Sequence, residues 1–267
     1  MTRIDSCFER LKAAGRTGLI PFFTAGDPSP DAVVAIMHAL VDAGADLIEL
    51  GVPFSDPMAD GPVIQHASER ALAKGVGLRH IFEWVREFRA RDADTPLVLM
   101  GYMNPVEIHG AERFGNEAFA SGVDGVLLVD CPIEEIDAAG PLRDAGLQQI
   151  FLAAPTTTDV RLAQVCAAAR GFLYYVSFAG ITGADLLSTA DVRERVAAIR
   201  QQARTPVAVG FGVRDAASAA AIGEFADAVV IGSALVERLA DAADASDAAE
   251  RARAFLAPIR TALDASG

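Results

Sequence analysis

Short apolar runs alternate with helix-periodic stretches from one end of the chain to the other. Eight of these runs are continuously apolar and have the length of a strand, which is the pattern of a parallel sheet buried on both faces. We predict strands at Leu19–Thr24, Leu47–Val52, Leu97–Tyr102, Gly125–Val129, Gln149–Ala153, Phe172–Ser177, Val207–Phe211 and Ala228–Ile231.

Helical periodicity fills the intervals between the predicted strands. The predicted helices are Cys7–Ala14, Asp31–Ala43, Val63–Lys74, Leu78–Arg91, Ala234–Leu239 and Ala248–Leu263. Eight strands in regular alternation with helices predict an α/β protein, namely a (β/α)8 TIM barrel with an additional N-terminal helix. A doubly wound open sheet is the alternative. Because no stretch has the composition of a linker, we expect one domain over residues 1–267.

Composition narrows the class of protein. A net charge of −13 argues against nucleic acid and anionic membranes as partners, because both require a basic face. No run reaches the ~18 apolar residues of a membrane span, and the first residues lack the apolar core of a signal peptide. The three cysteines form no metal-like cluster and no even disulfide framework. We therefore expect a cytoplasmic protein.

Two kinds of aldolase chemistry are poorly supported. A Schiff-base enzyme needs a lysine at the reacting centre, and the only lysines, Lys12 and Lys74, fall in helical patterns. The four histidines are scattered along the chain and form no ligand cluster, so we expect no metal.

Glu49 is a candidate catalytic residue because of its place in the second predicted strand. Strand alternation puts Leu47 and Glu49 on one face and the aliphatic Ile48 and Leu50 on the other, which suits the helix-covered outside. Glu49 should therefore point into the barrel. No predicted strand core contains an arginine to pair with it, so burial should raise its pKa towards the range useful for proton transfer.

Asp60 lies on the proline-rich loop that follows this strand. The loop runs from Pro53 to Pro62 and also carries Asp56 and Pro57. Taken alone, Asp60 is best interpreted as the N-cap of the helix that begins near Pro62.

Glycines at the ends of the late strands indicate a phosphate site. Strand seven runs into Gly210-Phe211-Gly212, and strand eight runs into Gly232-Ser233 just before a short helix. Backbone N–H groups, a helix N-terminus and the Ser233 hydroxyl can hold a dianion without a lysine or arginine. The loop Gly180-Ile181-Thr182-Gly183 can add donors. The alternative is that these glycines only turn the chain.

The run Ile48-Glu49-Leu50-Gly51-Val52-Pro53-Phe54-Ser55-Asp56-Pro57-Met58-Ala59-Asp60-Gly61-Pro62 closely resembles the signature of tryptophan synthase α subunits. Other segments resemble the family in the same order, and together they cover essentially the whole chain. They are Pro21–Pro28, Gly101–Pro105, Asp130–Pro132, Gly180–Gly183 and Gly210–Val213.

The resemblance implies a retro-aldol lyase that cleaves indole-3-glycerol phosphate to indole and glyceraldehyde 3-phosphate. It implies that Glu49 shuttles protons and that Asp60 engages the indole nitrogen. It also implies contacts to the indole ring and to the phosphate. The expected substrate-binding residues are Phe22, Met100, Leu127, Val129, Leu152, Tyr174, Thr182, Gly183, Phe211, Gly212, Gly232 and Ser233.

Tyr174 is expected to be the inward tyrosine of strand six, with its hydroxyl within reach of Glu49, whereas Tyr175 should face outward. Some relatives carry an arginine where this chain has Phe178, which puts a cationic contribution from that loop in doubt.

A partner protein is also implied by the resemblance. The family passes indole to a β subunit that carries pyridoxal phosphate, in an expected αββα heterotetramer, so this chain itself should need no cofactor. The positions that match the docking surface are Pro53, Asp56, Pro57, Asn104 and Pro132. The alternatives are a stand-alone indole-releasing lyase, another phosphate-binding barrel enzyme of aromatic amino-acid biosynthesis such as a phosphosugar isomerase, and a barrel that only regulates a partner.

Overall fold

Eight parallel strands close into a barrel in chain order, so the predicted (β/α)8 barrel is confirmed and an open sheet is excluded. The structure is a computed structural model that describes residues 1–176, 189–210 and 212–265. The predictions for Thr182, Gly183 and Phe211 lie outside the described residues, as does the position Phe178. The strands are β1 Gly18–Thr24, β2 Ile48–Gly51, β3 Leu97–Gly101, β4 Gly125–Leu128, β5 Gln148–Ala153, β6 Leu173–Val176, β7 Val207–Gly210 and β8 Ala228–Ile231.

One helix precedes β1, and the other helices lie between and after the strands, around the outside of the barrel. They are α1 Arg3–Ala14, α2 Val33–Asp42, α3 Pro62–Ala73, α4 Leu78–Arg89, α5 Met103–His109, α6 Ala111–Ser121, α7 Gly140–Asp144, α8 Asp159–Ala168, α9 Thr189–Gln202, α10 Ala216–Gly223, α11 Ser233–Leu239 and α12 Ala245–Ala265. Short 3-10 helices lie at Pro30–Ala32 and Ile133–Ala139. Among the described helices, none is long and apolar enough to cross a membrane.

Strand alternation divides the core into two layers. Alternate strand residues such as Leu47, Val98 and Leu127 pack together inside the barrel. Their neighbours, among them Ile48 and Leu50, pack against the surrounding helices. The predicted inside and outside faces of β2 are thereby confirmed.

Helix α1 closes the amino-terminal end of the barrel, because its apolar face joins the inner layer. Phe8 lies 5.7 Å from Phe172, measured between ring centroids. The helix begins at Arg3, four residues before the predicted start at Cys7. The reason is a capping box in which Thr2 and Asp5 satisfy each other's backbone N–H groups. The other boundaries differ from the predicted ones by a few residues, as is usual where helix and strand ends fray.

Candidate active site

Glu49 lies on β2 and points into the barrel, as the strand alternation predicts. Its side chain is fully buried, and neither carboxylate oxygen has a hydrogen-bond partner in the part of the chain that the structure describes. On the neighbouring strands it is in register with Phe22 and Val98. Burial raises the pKa of Glu49 to about 8. A carboxyl group in these surroundings is protonated at neutral pH and can donate a proton as well as accept one.

Tyr174 faces the same interior, whereas Tyr175 packs in the outer layer. The inward orientation predicted for Tyr174 is therefore confirmed. Burial, together with the charge of Glu49, raises the pKa of Tyr174 well above its usual value, so its hydroxyl stays a proton donor. The hydroxyl lies over β7, where a Cβ atom on Gly210 would meet it at 2.0 Å. The absence of a side chain at Gly210 therefore makes room for Tyr174.

Asp60 is half-buried on the loop between β2 and α3. The N-cap of α3 is Gly61, and no side chain caps this helix, so the interpretation of Asp60 as the cap is wrong. The Tyr102 hydroxyl lies at the loop instead. It accepts a hydrogen bond of 3.0 Å from the Ala59 N–H, and it also hydrogen-bonds the Asp60 carboxyl. Burial raises the pKa of Asp60 to about 6, although the bond from Tyr102 opposes the rise. Asp60 is therefore mainly ionised at neutral pH.

A cavity at the carboxyl ends of the strands brings Asp60 together with part of the expected indole pocket. Its lining consists of Phe22, Thr24, Gly51, Val52, Asp60, Ile64, Ser68, Met100, Gly101, Tyr102 and Val129. It holds about 10 Å³ of free volume, which is about the space of one water molecule. An indole ring can enter only if the lining moves. Glu49 does not border this cavity, so its carboxyl must also turn upwards to reach a ligand there.

The other described residues expected to contact the indole belong to the inner layer of the barrel. Leu127 and Tyr174 are members of that layer, and Leu152 packs against it, as do Met100 and Val129. Leu152 is in register with Tyr174, and Leu127 is in register with Met100. The cavity and the inner layer therefore adjoin at Met100 and Val129.

Sequence reasoning assigned no role to Tyr102. The residue stood in a segment that resembles the family, but its contact with Asp60 spans 42 positions of the chain and forms only when the loop after β2 folds over the end of β3. The resemblance of Gly101–Pro105 to the family was the sequence feature that could have pointed to Tyr102. The ring of Phe54 also packs against Tyr102, with ring centroids 5.0 Å apart.

The expected phosphate residues among those described lie at the ends of β7 and β8. Gly212 is exposed with a φ of +81°, a left-handed conformation that favours glycine. Gly232 is the N-cap of α11, and Ser233 is its exposed first residue. The first N–H groups of a helix have no partner within it, so they are free to bind an oxygen ligand.

The five positions expected to dock a partner differ in their exposure to solvent. Asp56 and Asn104 are exposed, and Pro57 and Pro132 are half-buried. Pro53 is buried, although it borders a groove of about 550 Å³ formed with residues of α4 and α5. Met58 and Ile108 are 77% and 80% exposed, and Ile108 borders the same groove.

A metal site of three or more His, Cys, Asp or Glu side chains does not occur among residues 1–176, 189–210 and 212–265.

Comparisons with known proteins identify the family of this chain. A family model described as tryptophan synthase alpha chain matches residues 8–263. The tryptophan synthase alpha chains of Xanthomonas euvesicatoria pv. vesicatoria and Xylella fastidiosa are 61% and 60% identical to this chain, and each comparison covers 99% of both chains. The crystal structure of tryptophan synthase subunit alpha from Legionella pneumophila str. Paris is similar with a TM-score of 0.92 and 41% identity, over 99% of both chains. A chain of tryptophan synthase from M. tuberculosis in its aminoacrylate-bound form gives a TM-score of 0.86 and 35% identity, over 98% of this chain and 100% of that chain. The chain therefore belongs to the tryptophan synthase alpha chain family, the lyases that cleave indole-3-glycerol phosphate.

Proposed function

We propose that Glu49 and Asp60 carry out the cleavage of indole-3-glycerol phosphate in this chain, Glu49 as the proton shuttle and Asp60 as the group that binds the indole nitrogen. The observation that carries the proposal is the difference between their surroundings. The fully buried Glu49 has a pKa of about 8, and the half-buried Asp60 has one of about 6. Two carboxyl groups whose pKa values are pushed apart can act as acid and as anion at the same pH.

The reaction needs one proton on the ring and the loss of another from the side chain of the substrate. Protonated Glu49 donates its proton to indole C3, while ionised Asp60 accepts a hydrogen bond from N1–H and stabilises the positive charge that develops there. The Glu49 carboxylate then removes the 3′-hydroxyl proton as the C3–C3′ bond breaks. Indole and glyceraldehyde 3-phosphate leave, and Glu49 is again protonated.

The position of Tyr174 supports proton transfer by Glu49. Its hydroxyl lies in the interior beside Glu49 and remains protonated, so it can donate a hydrogen bond to the Glu49 carboxylate formed after the first transfer. Phe22, Met100, Leu127, Val129 and Leu152 supply the apolar surroundings for the ring, which exclude water and strengthen the interaction between Asp60 and N1–H.

We infer that the substrate phosphate binds at Gly212, Gly232 and Ser233, with Thr182, Gly183 and Phe211 as further expected contacts. The exposed Gly212 and the open N-terminus of α11 support this placement. Gly212→Asp or Gly232→Asp should raise the KM for the substrate, because bulk and negative charge are added next to a dianion. Unchanged KM values in both variants would contradict the placement.

We also propose that the chain docks on a β subunit in an αββα heterotetramer and passes indole to it. The pyridoxal phosphate of that assembly would belong to the β subunit. The docking surface would include Pro53, Asp56, Pro57, Asn104 and Pro132, and the groove bordered by Pro53, Asn104 and the exposed Ile108 supports it. Docking there would press on Phe54 and through it on Tyr102, which holds the loop of Asp60. Binding and activity should therefore be coupled.

The decisive experiment is incubation of the purified chain with indole-3-glycerol phosphate, with and without a β subunit from the same source, while indole is followed. We expect slow release by the chain alone and a faster rate with the β subunit. No indole in either case would refute the proposed activity. A rate that is high alone and unaffected by the β subunit would favour a stand-alone lyase. We further infer that residues 1–267 form one domain, so limited proteolysis should yield no smaller folded fragment.

A further inference from the structure

A second groove lies at the opposite end of the barrel from Glu49 and Asp60. It holds about 490 Å³, within the usual size of small-molecule sites. We call it the basal groove; its lining is Phe8, Leu11, Lys12, Gly15, Arg16, Thr17, Arg200, Ala203, Arg204, Thr205, Pro206, Ala226 and Asp227. The segments that form it precede β1, β7 and β8, so it belongs to the amino-terminal end of the barrel, where the strands begin.

The basal groove is basic in a chain that is otherwise acidic. Among the residues that the structure describes, its lining contains four cationic side chains, Lys12, Arg16, Arg200 and Arg204, and one acidic residue, Asp227. The whole chain has 36 acidic and 23 basic residues. A local excess of cations in a chain with a net charge of −13 attracts a small anion to this groove.

Two of the four cations are held in position by carboxylates behind them. Arg200 donates to Asp227 at 2.8 Å and to the carbonyl oxygen of Phe225 at 3.1 Å. Arg16 donates to Asp264 at 3.0 Å, and Asp264 is also bound by the buried Arg260 at 2.6 Å. The Arg16 and Arg200 side chains are nonetheless 42% and 49% exposed, so both still face solvent. Guanidinium groups fixed in this way lose little side-chain entropy when a ligand binds.

The other two cations are not neutralised. Lys12 and Arg204 are exposed, and neither has an ion-pair or hydrogen-bond partner among the residues that the structure describes. Their two charges match the charge of a phosphate dianion. The groove also has an apolar side, formed by the buried Phe8 and Leu11 with Pro206, against which a ring or an aliphatic group can pack.

We propose that the basal groove binds a small organic phosphate, with the dianion held by Lys12, Arg16, Arg200 and Arg204 and the organic part packed on Phe8 and Leu11. Such a ligand would bind independently of the catalytic phosphate residues, which lie at the carboxyl ends of the strands. The ligand could be the substrate or product of this chain itself or another phosphorylated metabolite, and the same chemistry would recognise either.

Binding is tested by calorimetry with four probes, adenosine monophosphate, inorganic phosphate, indole-3-glycerol phosphate and glyceraldehyde 3-phosphate. The proteins are the unaltered chain, Gly212→Asp to weaken the catalytic site, the double variant Lys12→Gln/Arg204→Gln, and the control Arg10→Gln/Arg86→Gln. The control removes two charges from exposed arginines outside the groove. All four changed side chains of the double variants are exposed, so folding should be retained.

We expect adenosine monophosphate to bind the unaltered chain, the Gly212→Asp variant and the control alike, and to bind Lys12→Gln/Arg204→Gln at least ~10-fold more weakly. Indole release should be the same in both double variants as in the unaltered chain. Binding of the substrate or product to Gly212→Asp would identify the ligand as the chain's own, whereas binding of adenosine monophosphate alone would point to another metabolite. The proposal is overturned if adenosine monophosphate does not bind, if Gly212→Asp abolishes its binding, if the control weakens binding as much as Lys12→Gln/Arg204→Gln, or if inorganic phosphate binds equally tightly.

Discussion

Replacing Glu49 by glutamine should stabilise the folded chain at alkaline pH. Glu49 is fully buried, and neither of its carboxylate oxygens has a hydrogen-bond partner in the described part of the chain, so its ionisation opposes folding. The folded pKa of about 8 is above the unfolded value of 4.5. The folded state therefore binds the proton more tightly, and stability falls as the pH rises from the unfolded pKa through the folded one.

The magnitude follows from these two pKa values. Between pH 5 and pH 8 the unaltered chain should lose about 3 kcal/mol of unfolding free energy through Glu49 alone. Glutamine has a similar shape and no charge, so the Glu49→Gln variant should lack this loss. The difference in stability between the two proteins should thus grow by about 3 kcal/mol in favour of the variant.

Urea unfolding followed by circular dichroism at pH 5, 6.5 and 8 measures this difference. Glu250→Gln is the matched control, because it removes the same group from an exposed position on α12 and should show no such growth. If the unfolding free energies of Glu49→Gln and the unaltered chain keep a constant difference across this range, Glu49 is not ionising in a desolvated site, and the reasoning is refuted.

Three further predictions concern activity. The profile of kcat/KM against pH should be bell-shaped, rising through about pH 6 as Asp60 ionises and falling through about pH 8 as Glu49 loses its proton. A value of kcat/KM that still rises above pH 8 would contradict the order of proton transfers. Asp60→Asn should lower indole release by about 100-fold or more, since it removes the charge offered to N1 while keeping the size of the side chain, and a near-normal rate would leave Asp60 no catalytic role. Gly210→Ala should destabilise the chain by about 1–3 kcal/mol in thermal or urea unfolding and lower indole release, because its Cβ would lie 2.0 Å from the Tyr174 hydroxyl. Gly140→Ala is the control, because its Cβ has space. Equal stability of the two variants would show that Tyr174 does not need this room.

The fold could be predicted because each strand carries its own signal. Continuous apolar runs such as the one around Glu49 indicate strands buried on both faces, and their number and order imply a closed barrel. Strand alternation also sufficed to turn Glu49 and Tyr174 inward. The raised pKa of Glu49 could be predicted because the inward carboxyl group is buried and the predicted strand cores contain no arginine to offset that burial.

The rest depended on contacts between segments distant in sequence. The bond between the Tyr102 hydroxyl and the loop of Asp60 forms only when that loop folds over β3, so local propensity favoured a helix cap at Asp60 that the structure does not contain. The narrowness of the cavity and the burial of Glu49 below it depend on how side chains from several strands pack together. The basal groove likewise joins α1, the end of α9 and the start of β8, and no local pattern brings them together.

Proton transfer by Glu49 is the centre of the account, and one rate comparison tests it most directly. Indole release from indole-3-glycerol phosphate by the purified Glu49→Gln variant is measured at pH 7 beside the unaltered chain, with circular dichroism to verify that both are folded. We predict a fall in kcat of at least ~100-fold with little change in KM, because the amide retains the shape of the carboxyl group and loses its proton chemistry. A folded Glu49→Gln variant that releases indole at close to the normal rate would contradict the account.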